Sequence, residues 1–110
     1  MLYLHFSETP EFLKHASKLI GEDEIAHVQL FLCGEPTRGE IIPGSGGIRK
    51  LRWKLRGGGK RGGTRILYYY AGSRGRIYLL DIYSKNEKID VTAEEISRFR
   101  NIVKKWLQKG

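Results

Sequence analysis

The sequence predicts a small α+β domain built on an antiparallel sheet, with two helices before most of the strands and one helix after them. Three observations predict this class: apolar residues recur at helical spacing near the start, alternate with polar residues in the middle, and return to helical spacing at the end. The 110 residues suffice for one hydrophobic core, so we expect a single domain over residues 1–110.

The first forty residues are predicted to hold one strand and two helices. Leu, Tyr and Phe within residues 2–6 predict a short strand. Thr9 followed by Pro10 is a typical helix start, because a threonine side chain caps free N–H groups and proline suits the first helical position. Apolar residues then recur at helical spacing up to Gly21 and again over 22–32, which predicts a second helix.

Alternation begins after a Pro- and Gly-rich boundary at residues 43–47. Leu51, Trp53 and Leu55 interleave with basic residues, so this strand has one apolar face and one cationic face. Repulsion along the cationic face is costly unless an anion binds there. The cations of this face are Lys50, Arg52, Lys54 and Arg56.

A hairpin and a helix complete the predicted chain. β-branched and aromatic residues predict strands over Thr64–Ala71 and 76–83, and the tight turn between them makes the pair antiparallel. Thr92 and Glu95 then form a capping-box pattern that opens the last helix. Most of the tyrosines in the two strands are expected in the core.

Positive charge is concentrated in the middle of the chain. The net charge is +8, yet residues 41–80 hold ten basic and no acidic side chains, whereas residues 1–40 hold three basic and seven acidic ones. Such a block attracts polyanions and is typical of a nucleic-acid binder. The loop at 57–63 carries two of its cations, Lys60 and Arg61, on a glycine backbone. It is either a hairpin tip or a basic finger that follows a phosphate chain closely.

Other chemistries find little support in the sequence. Cys33 is the single cysteine, which excludes an intramolecular disulfide and favours a reducing cytoplasm. His5, His15 and His27 lack metal-ligand spacing and the basic block contains no carboxylate, so we expect no metal or other cofactor. No apolar run reaches the roughly 18 residues of a membrane span, and no basic signal region opens the chain. A membrane partner is therefore not expected.

Three segments carry a resemblance to a known family. They are GGIRKLRW at 46–53, GKRGGTRILYY at 59–69 and IYSKNEK at 82–88. Together they resemble the RelE/HigB family of toxins from bacterial type II toxin-antitoxin systems, and most closely the HigB branch with its G-K-x-G-G-x-R-x-x-Y segment and later K-N-E. The resemblance extends over nearly the whole chain in element order, and it implies a RelE-like fold.

The resemblance implies a ribosome-dependent mRNA endonuclease that needs no metal. Such a toxin enters the ribosomal A site, beside the 16S rRNA, and cuts the codon there as the RNA's own 2′-hydroxyl attacks the adjacent phosphate. The partner implied is a cognate HigA-type antitoxin with a helix-turn-helix domain. The toxin would reach operator DNA only through that antitoxin.

The same resemblance puts the site on the cationic face. Arg52, Lys54 and Arg56 fall on the family's basic strand pattern, Arg65 on the arginine of its next strand, and Lys85 where the family has an arginine. Arg65 and Lys85 would stabilise the charge that builds on a pentacoordinate phosphorus. Neighbouring cations disfavour the protonated form of Lys54, which makes it the candidate general base.

Tyr83 takes the place of the family's tyrosine, because Val91 lies at the matching position. Tyr83 ends its strand beside a polar run, so we expect an exposed ring that stacks on a base. The predicted catalytic residues are Lys54, Arg65, Lys85 and Tyr83, and the predicted RNA-binding residues are Arg52, Arg56, Lys60 and Arg61.

Two alternative functions remain open at the level of sequence. A non-catalytic rRNA-binding module needs only the basic block and the glycine loop. A gyrase-poisoning toxin of the related fold does not require Lys54, Arg65 and Lys85 in combination.

Overall fold

A computed structural model describes residues 4–54 and 63–109 and shows a five-stranded sheet with helices on both faces. Across the sheet the strand order is β1-β5-β4-β3-β2. The predicted α+β class is confirmed. In chain order the elements are β1 (His5–Glu8), α1 (Pro10–Leu19), α2 (Gly21–Gly34), β2 (Glu40–Ile41), β3 (Arg49–Trp53), β4 (Thr64–Ala71), a 3₁₀ turn (Gly72–Arg74), β5 (Arg76–Ser84) and α3 (Ala93–Gln108).

The sheet is antiparallel except at one edge. β4 pairs antiparallel with β3 and with β5, as the hairpin pattern predicts, and β2 adds a two-residue edge strand that the sequence did not predict. β1 pairs with β5 in parallel, so the antiparallel sheet that the sequence predicts has one parallel pair at this edge. Single-sequence patterning indicates which residues form strands, whereas the direction of a pair separated by about seventy residues depends on tertiary packing.

Some element boundaries differ from the predictions. The first strand begins at His5 rather than at residue 2, and residues 1–3 lie outside the described part. The second helix extends to Gly34. The cationic strand ends at Trp53, and of the predicted loop at 57–63 only Gly63 is described.

Two hydrophobic clusters hold the sheet between the helices. On one face Phe12 from α1 packs in the same cluster as Ile66 of β4. On the opposite face Phe99 from α3 packs in a second cluster with Leu67. Ile66 and Leu67 are neighbours in β4, so the two clusters follow the alternation of a strand, and all four side chains are fully buried.

The two capping residues that the sequence predicts, Thr9 and Thr92, both cap their helices. The Thr9 hydroxyl accepts from the Phe12 N–H at 2.9 Å and donates to the Leu80 carbonyl at 2.7 Å, which joins α1 to β5. Thr92 and Glu95 form the full capping box at the start of α3. None of the helices in the described ranges is long and apolar enough to cross a membrane.

The two caps give a matched test of the α1–β5 junction. Thr9→Ala should lower the free energy of unfolding by about 2 kcal/mol, because it removes a cap and leaves a buried carbonyl without its donor. Thr92→Ala, at an exposed cap, should lower it by about 1 kcal/mol. Urea unfolding measures both, and Thr9→Ser should stay close to the parent protein. Equal losses in the two alanine variants would contradict the role given to the Thr9–Leu80 bond.

Candidate nucleic-acid interface

The basic residues of β3 and β4 meet at one end of the sheet. Arg52 pairs with Arg65, and Arg65 pairs with Tyr83, so the three residues form a row across β3, β4 and β5. Directly opposed residues project from the same face of a sheet. Lys54 and Lys85 follow immediately after β3 and β5, one step further out. We call Arg52, Lys54, Arg65 and Lys85 the cationic end.

Gly63 brings these residues together. Its carbonyl accepts from the Lys85 N–H at 3.2 Å, and a Cβ at Gly63 would stand 3.7 Å from the carbonyl oxygen of Trp53, the residue before Lys54. Its φ of +69° favours glycine. A Cβ at Gly63 would stand only 3.4 Å from the Nη1 atom of Arg65, so the guanidinium lies against this glycine. The predicted catalytic cations therefore border one small area.

The side chains of the cationic end differ in exposure. Arg52, Lys54 and Lys85 are exposed, whereas Arg65 is only 9% exposed. A long side chain such as arginine loses most of its rotational freedom when it is buried. Arg65 therefore presents its charge from a fixed place, and the exposed lysines can adjust to a ligand.

Tyr83 is placed differently from the exposed stacking ring that we expected. The residue is 5% exposed and packs in the cluster under α3. The polar run after β5 turns back on Ser84, whose carbonyl accepts from the Lys88 N–H at 3.2 Å. This turn puts the Lys88 ammonium over the Tyr83 ring, 4.8 Å from its centroid. The ring is covered in this conformation, and the assignment of Tyr83 to the site stays a prediction.

The Tyr83 hydroxyl is held as a neutral phenol. Burial, and then the negative charge and hydrogen bond of Asp90, raise the pKa of Tyr83 to about 12, while the charge of Arg65 acts in the opposite direction. The hydroxyl donates to Asp90 Oδ1 at 3.3 Å. Tyr83 thus links the buried arginine to a carboxylate on the border of the site.

Asp90 is a residue that sequence reasoning missed. The cationic face was expected to lack carboxylates, but Asp90 Oδ1 also accepts from Lys50 Nζ at 3.2 Å, and Lys50 lies on that face. The hydrogen bond from the Val91 N–H, followed by that from Lys50, holds the pKa of Asp90 below its usual value. One signal was present in the sequence: an acidic residue two positions before the capping residue Thr92.

The other predicted residues lie either outside the described ranges or elsewhere in the fold. Arg56, Lys60 and Arg61 lie outside the described residues, so their RNA-binding roles stay predictions. His15 pairs with Asp81 at 2.7 Å and joins α1 to β5. Within residues 4–54 and 63–109, no three His, Cys, Asp or Glu side chains form a group that could hold a metal ion.

The fold and the cationic end define a small basic α+β domain suited to a polyanion. No protein-family model matches the chain. Among solved structures the fold is similar to that of a mutant of the E. coli toxin RelE in the free state, in which two arginines are replaced by alanine. The TM-score is 0.58 and the identity 13%, over 81% of this chain and 90% of that one. The likeness shows a RelE-like fold, and the HigB branch stays a prediction.

The phenol of Tyr83 provides a test of this geometry. In a spectrophotometric titration it should ionise about two pH units above an exposed tyrosine, whose pKa is about 10. Tyr83→Phe should therefore remove absorbance change near pH 12 and leave the change near pH 10 intact. The folded protein holds this proton more tightly than the unfolded chain, so its contribution to stability is full below pH 10 and declines as the pH rises towards 12. If Tyr83→Phe instead removed absorbance change near pH 10, Tyr83 would ionise like an exposed tyrosine, which would contradict its buried position.

Proposed function

We propose that this protein is the toxin of a type II toxin-antitoxin system, and that it cleaves mRNA on the ribosome without a metal ion. The observation that carries the proposal is the register that aligns Arg52 with Arg65, together with Gly63, which bonds to Lys85 and lies next to the end of β3 that Lys54 follows. Cations converging on one point suit a phosphate in a bent RNA chain. The similarity of the fold to the toxin RelE supports the same function.

The proposed reaction needs a base, an acid and charge stabilisation. Lys54 is the general base that takes the proton of the ribose 2′-hydroxyl, whose oxygen bonds to the adjacent phosphorus. The bond from phosphorus to the 5′-oxygen breaks, and the Lys85 ammonium supplies the proton of that leaving group. The products are a 2′,3′-cyclic phosphate and a 5′-hydroxyl. Negative charge grows on the phosphate during the attack, so Arg65 and Lys85 bind the transition state more strongly than the substrate.

The structure suggests how the other residues assist. Arg65 is buried and lies against Gly63, which fixes its direction before RNA arrives. Tyr83 acts as a positioning residue, because it lies directly opposite Arg65 in the sheet and its hydroxyl is bonded to Asp90. Arg52 is exposed and binds the backbone next to the cleaved phosphate.

The exposed lysines also give a reason for dependence on the ribosome. No described side chain bonds to the ammonium of Lys54 or of Lys85, so residues 4–54 and 63–109 do not hold either lysine in one orientation. Catalysis by such groups requires that the substrate be oriented against them. An mRNA codon fixed in the ribosomal A site provides this orientation. Free RNA should be cut slowly for the same reason.

The proposal includes a HigA-type antitoxin with a helix-turn-helix domain. An acidic segment of that antitoxin can cover the cationic end. An extended segment can instead add a strand beside β2, where Ile41 is 54% exposed at the edge of the sheet.

Substitutions at the cationic end should separate catalysis from folding. In a translating extract the parent protein should arrest synthesis with mRNA cut within codons. Lys85→Gln and Arg65→Lys should each lower the cleavage rate by about 100- to 1,000-fold, because each removes stabilisation of the transition state. Lys14→Ala, which removes an exposed charge from α1, is the matched control and should cut normally.

Circular dichroism and urea unfolding establish that each variant is folded before its rate is compared. Arrest with intact message would refute the nuclease and leave ribosome binding as the activity. Unchanged cleavage by folded Lys85→Gln would refute the assigned site.

The identity of the nucleophile gives a second prediction. An mRNA with a single 2′-deoxyribose at the cleaved nucleotide should resist cutting at that position, because the attacking oxygen is missing, while it still binds the ribosome. Mass spectrometry of fragments from ribose-containing mRNA should show 2′,3′-cyclic phosphate ends. Cleavage at the deoxyribose, or fragments with 5′-phosphate ends, would mean that water attacks instead.

A further inference from the structure

A second group of cations lies at the opposite end of the sheet. β5 runs nine residues from Arg76 to Ser84, so its two ends are about 26 Å apart at roughly 3.3 Å per residue. The cationic end lies beside Ser84. Beside Arg76 is a cavity of about 570 Å³ that is lined by Ser7, Arg74, Arg76, Tyr78, Trp106 and Lys109.

The charge in this cavity is of one sign. Three of its six lining residues are cationic and none is acidic. Arg76 donates to the Ser7 hydroxyl at 2.8 Å, and Arg74 donates to the Leu107 carbonyl. Both acceptors are neutral, so they fix the guanidinium groups without cancelling their charge. Within the described residues, no carboxylate forms an ion pair with Arg74, Arg76 or Lys109.

The aromatic side of the cavity is also suited to a ligand. Trp106 is partly exposed and packs on Tyr78 with ring centroids 4.7 Å apart. Tyr78 is 3% exposed, and its hydroxyl has no hydrogen-bond partner among the described residues. Since no fully enclosed side-chain polar atom in that part of the chain lacks a partner, the Tyr78 hydroxyl keeps some accessible surface, and Tyr78 lines the cavity. An indole face, a free hydroxyl and unpaired cations therefore border the same space.

We propose that this cavity binds one nucleotide of single-stranded RNA, with the phosphate at Arg76 and Lys109 and the base or ribose against Trp106. Unpaired cations next to an accessible aromatic ring are typical of single-strand binding, in which bases stack without sequence readout. Arg76 is held by Ser7 and so presents its remaining N–H groups in a fixed direction. The site needs no cleavage chemistry and goes beyond the proposed function.

The binding test uses a fluorescent single-stranded RNA of about 12 nucleotides and fluorescence anisotropy at about 0.1 M salt. Lys109→Ala and Arg76→Gln should each weaken binding about fivefold. The reason is that each counterion released from the RNA adds about 0.7 to the base-10 logarithm of the binding constant at about 0.1 M salt. Each should also reduce, by about 0.7, the steepness of the slope of the logarithm of the binding constant against the logarithm of the salt concentration. Lys14→Ala is the control with the same change of charge. Equal affinity of the pocket variants and this control would overturn the proposal.

A second measurement reports on the cavity itself. The chain has two tryptophans, so Trp53→Phe leaves Trp106 as the single emitter. RNA should change the Trp106 emission, and Lys109→Ala in the same background should shift the midpoint of that change about fivefold to higher RNA concentration. No change of emission when anisotropy shows bound RNA would overturn the site. An equal response to a poly-glutamate peptide would also overturn it and assign the surface to an acidic protein.

These outcomes are distinguishable from failure of the proposed function. Binding at Trp106 with no cleavage in translating extract would refute the nuclease and leave the second site standing. Normal cleavage with no change of Trp106 emission would refute the second site and leave the nuclease standing.

Discussion

One unpaired residue, Leu80, determines which side chains of β5 face the cationic end. The β4–β5 register shifts between Leu67 and Tyr68, so Leu80 has no opposite residue in β4. Side chains alternate between the two faces of a strand, and one extra residue reverses the faces for the rest of it. Tyr83 therefore shares a face with Arg65, although simple alternation along β5 would place it on the α1–α2 side. The row across three strands depends on this bulge.

The row sets two like charges opposite each other, and the fold tolerates them. A cross-strand pair changes stability by roughly 0.2–1 kcal/mol, and like charges act against folding. That is small beside a total stability of about 5–15 kcal/mol. Nearby carboxylates lessen the repulsion at the border, where Asp90 pairs with Lys50 and Glu95 with Lys88. A phosphate bound between Arg52 and Arg65, as the proposed function requires, would counter the repulsion between these two like charges, so a feature that slightly weakens the fold would strengthen the binding of an anion.

Local patterns predicted the parts of the structure that local forces determine. Thr9 and Thr92 begin helices because their side chains satisfy free N–H groups. The alternation at 49–53 follows from the period of a strand, and it correctly put Arg52 on the face opposite Leu51. The Leu80 bulge and the parallel pairing of β1 depend on how whole strands pack together, and the approach of Asp90 to Tyr83, seven residues away, depends on how the chain turns after β5. No local pattern encodes such contacts, which is why the expected open ring and carboxylate-free face were wrong.

The cations that the structure describes within residues 41–80 have different surroundings, and a net charge cannot distinguish among them. Arg49 donates to the carbonyls of Thr37 and Gly39 and holds the loop before β2. Others border the two ends of β5, where the environments are unlike: a buried arginine beside lysines at one end, an indole and a free hydroxyl at the other. A single strand that contacted both ends would meet unlike partners at each, so its two directions would bind with different affinities. Direction in turn determines which ribose faces Lys54, so the distant contact would contribute to the choice of the bond that is cut.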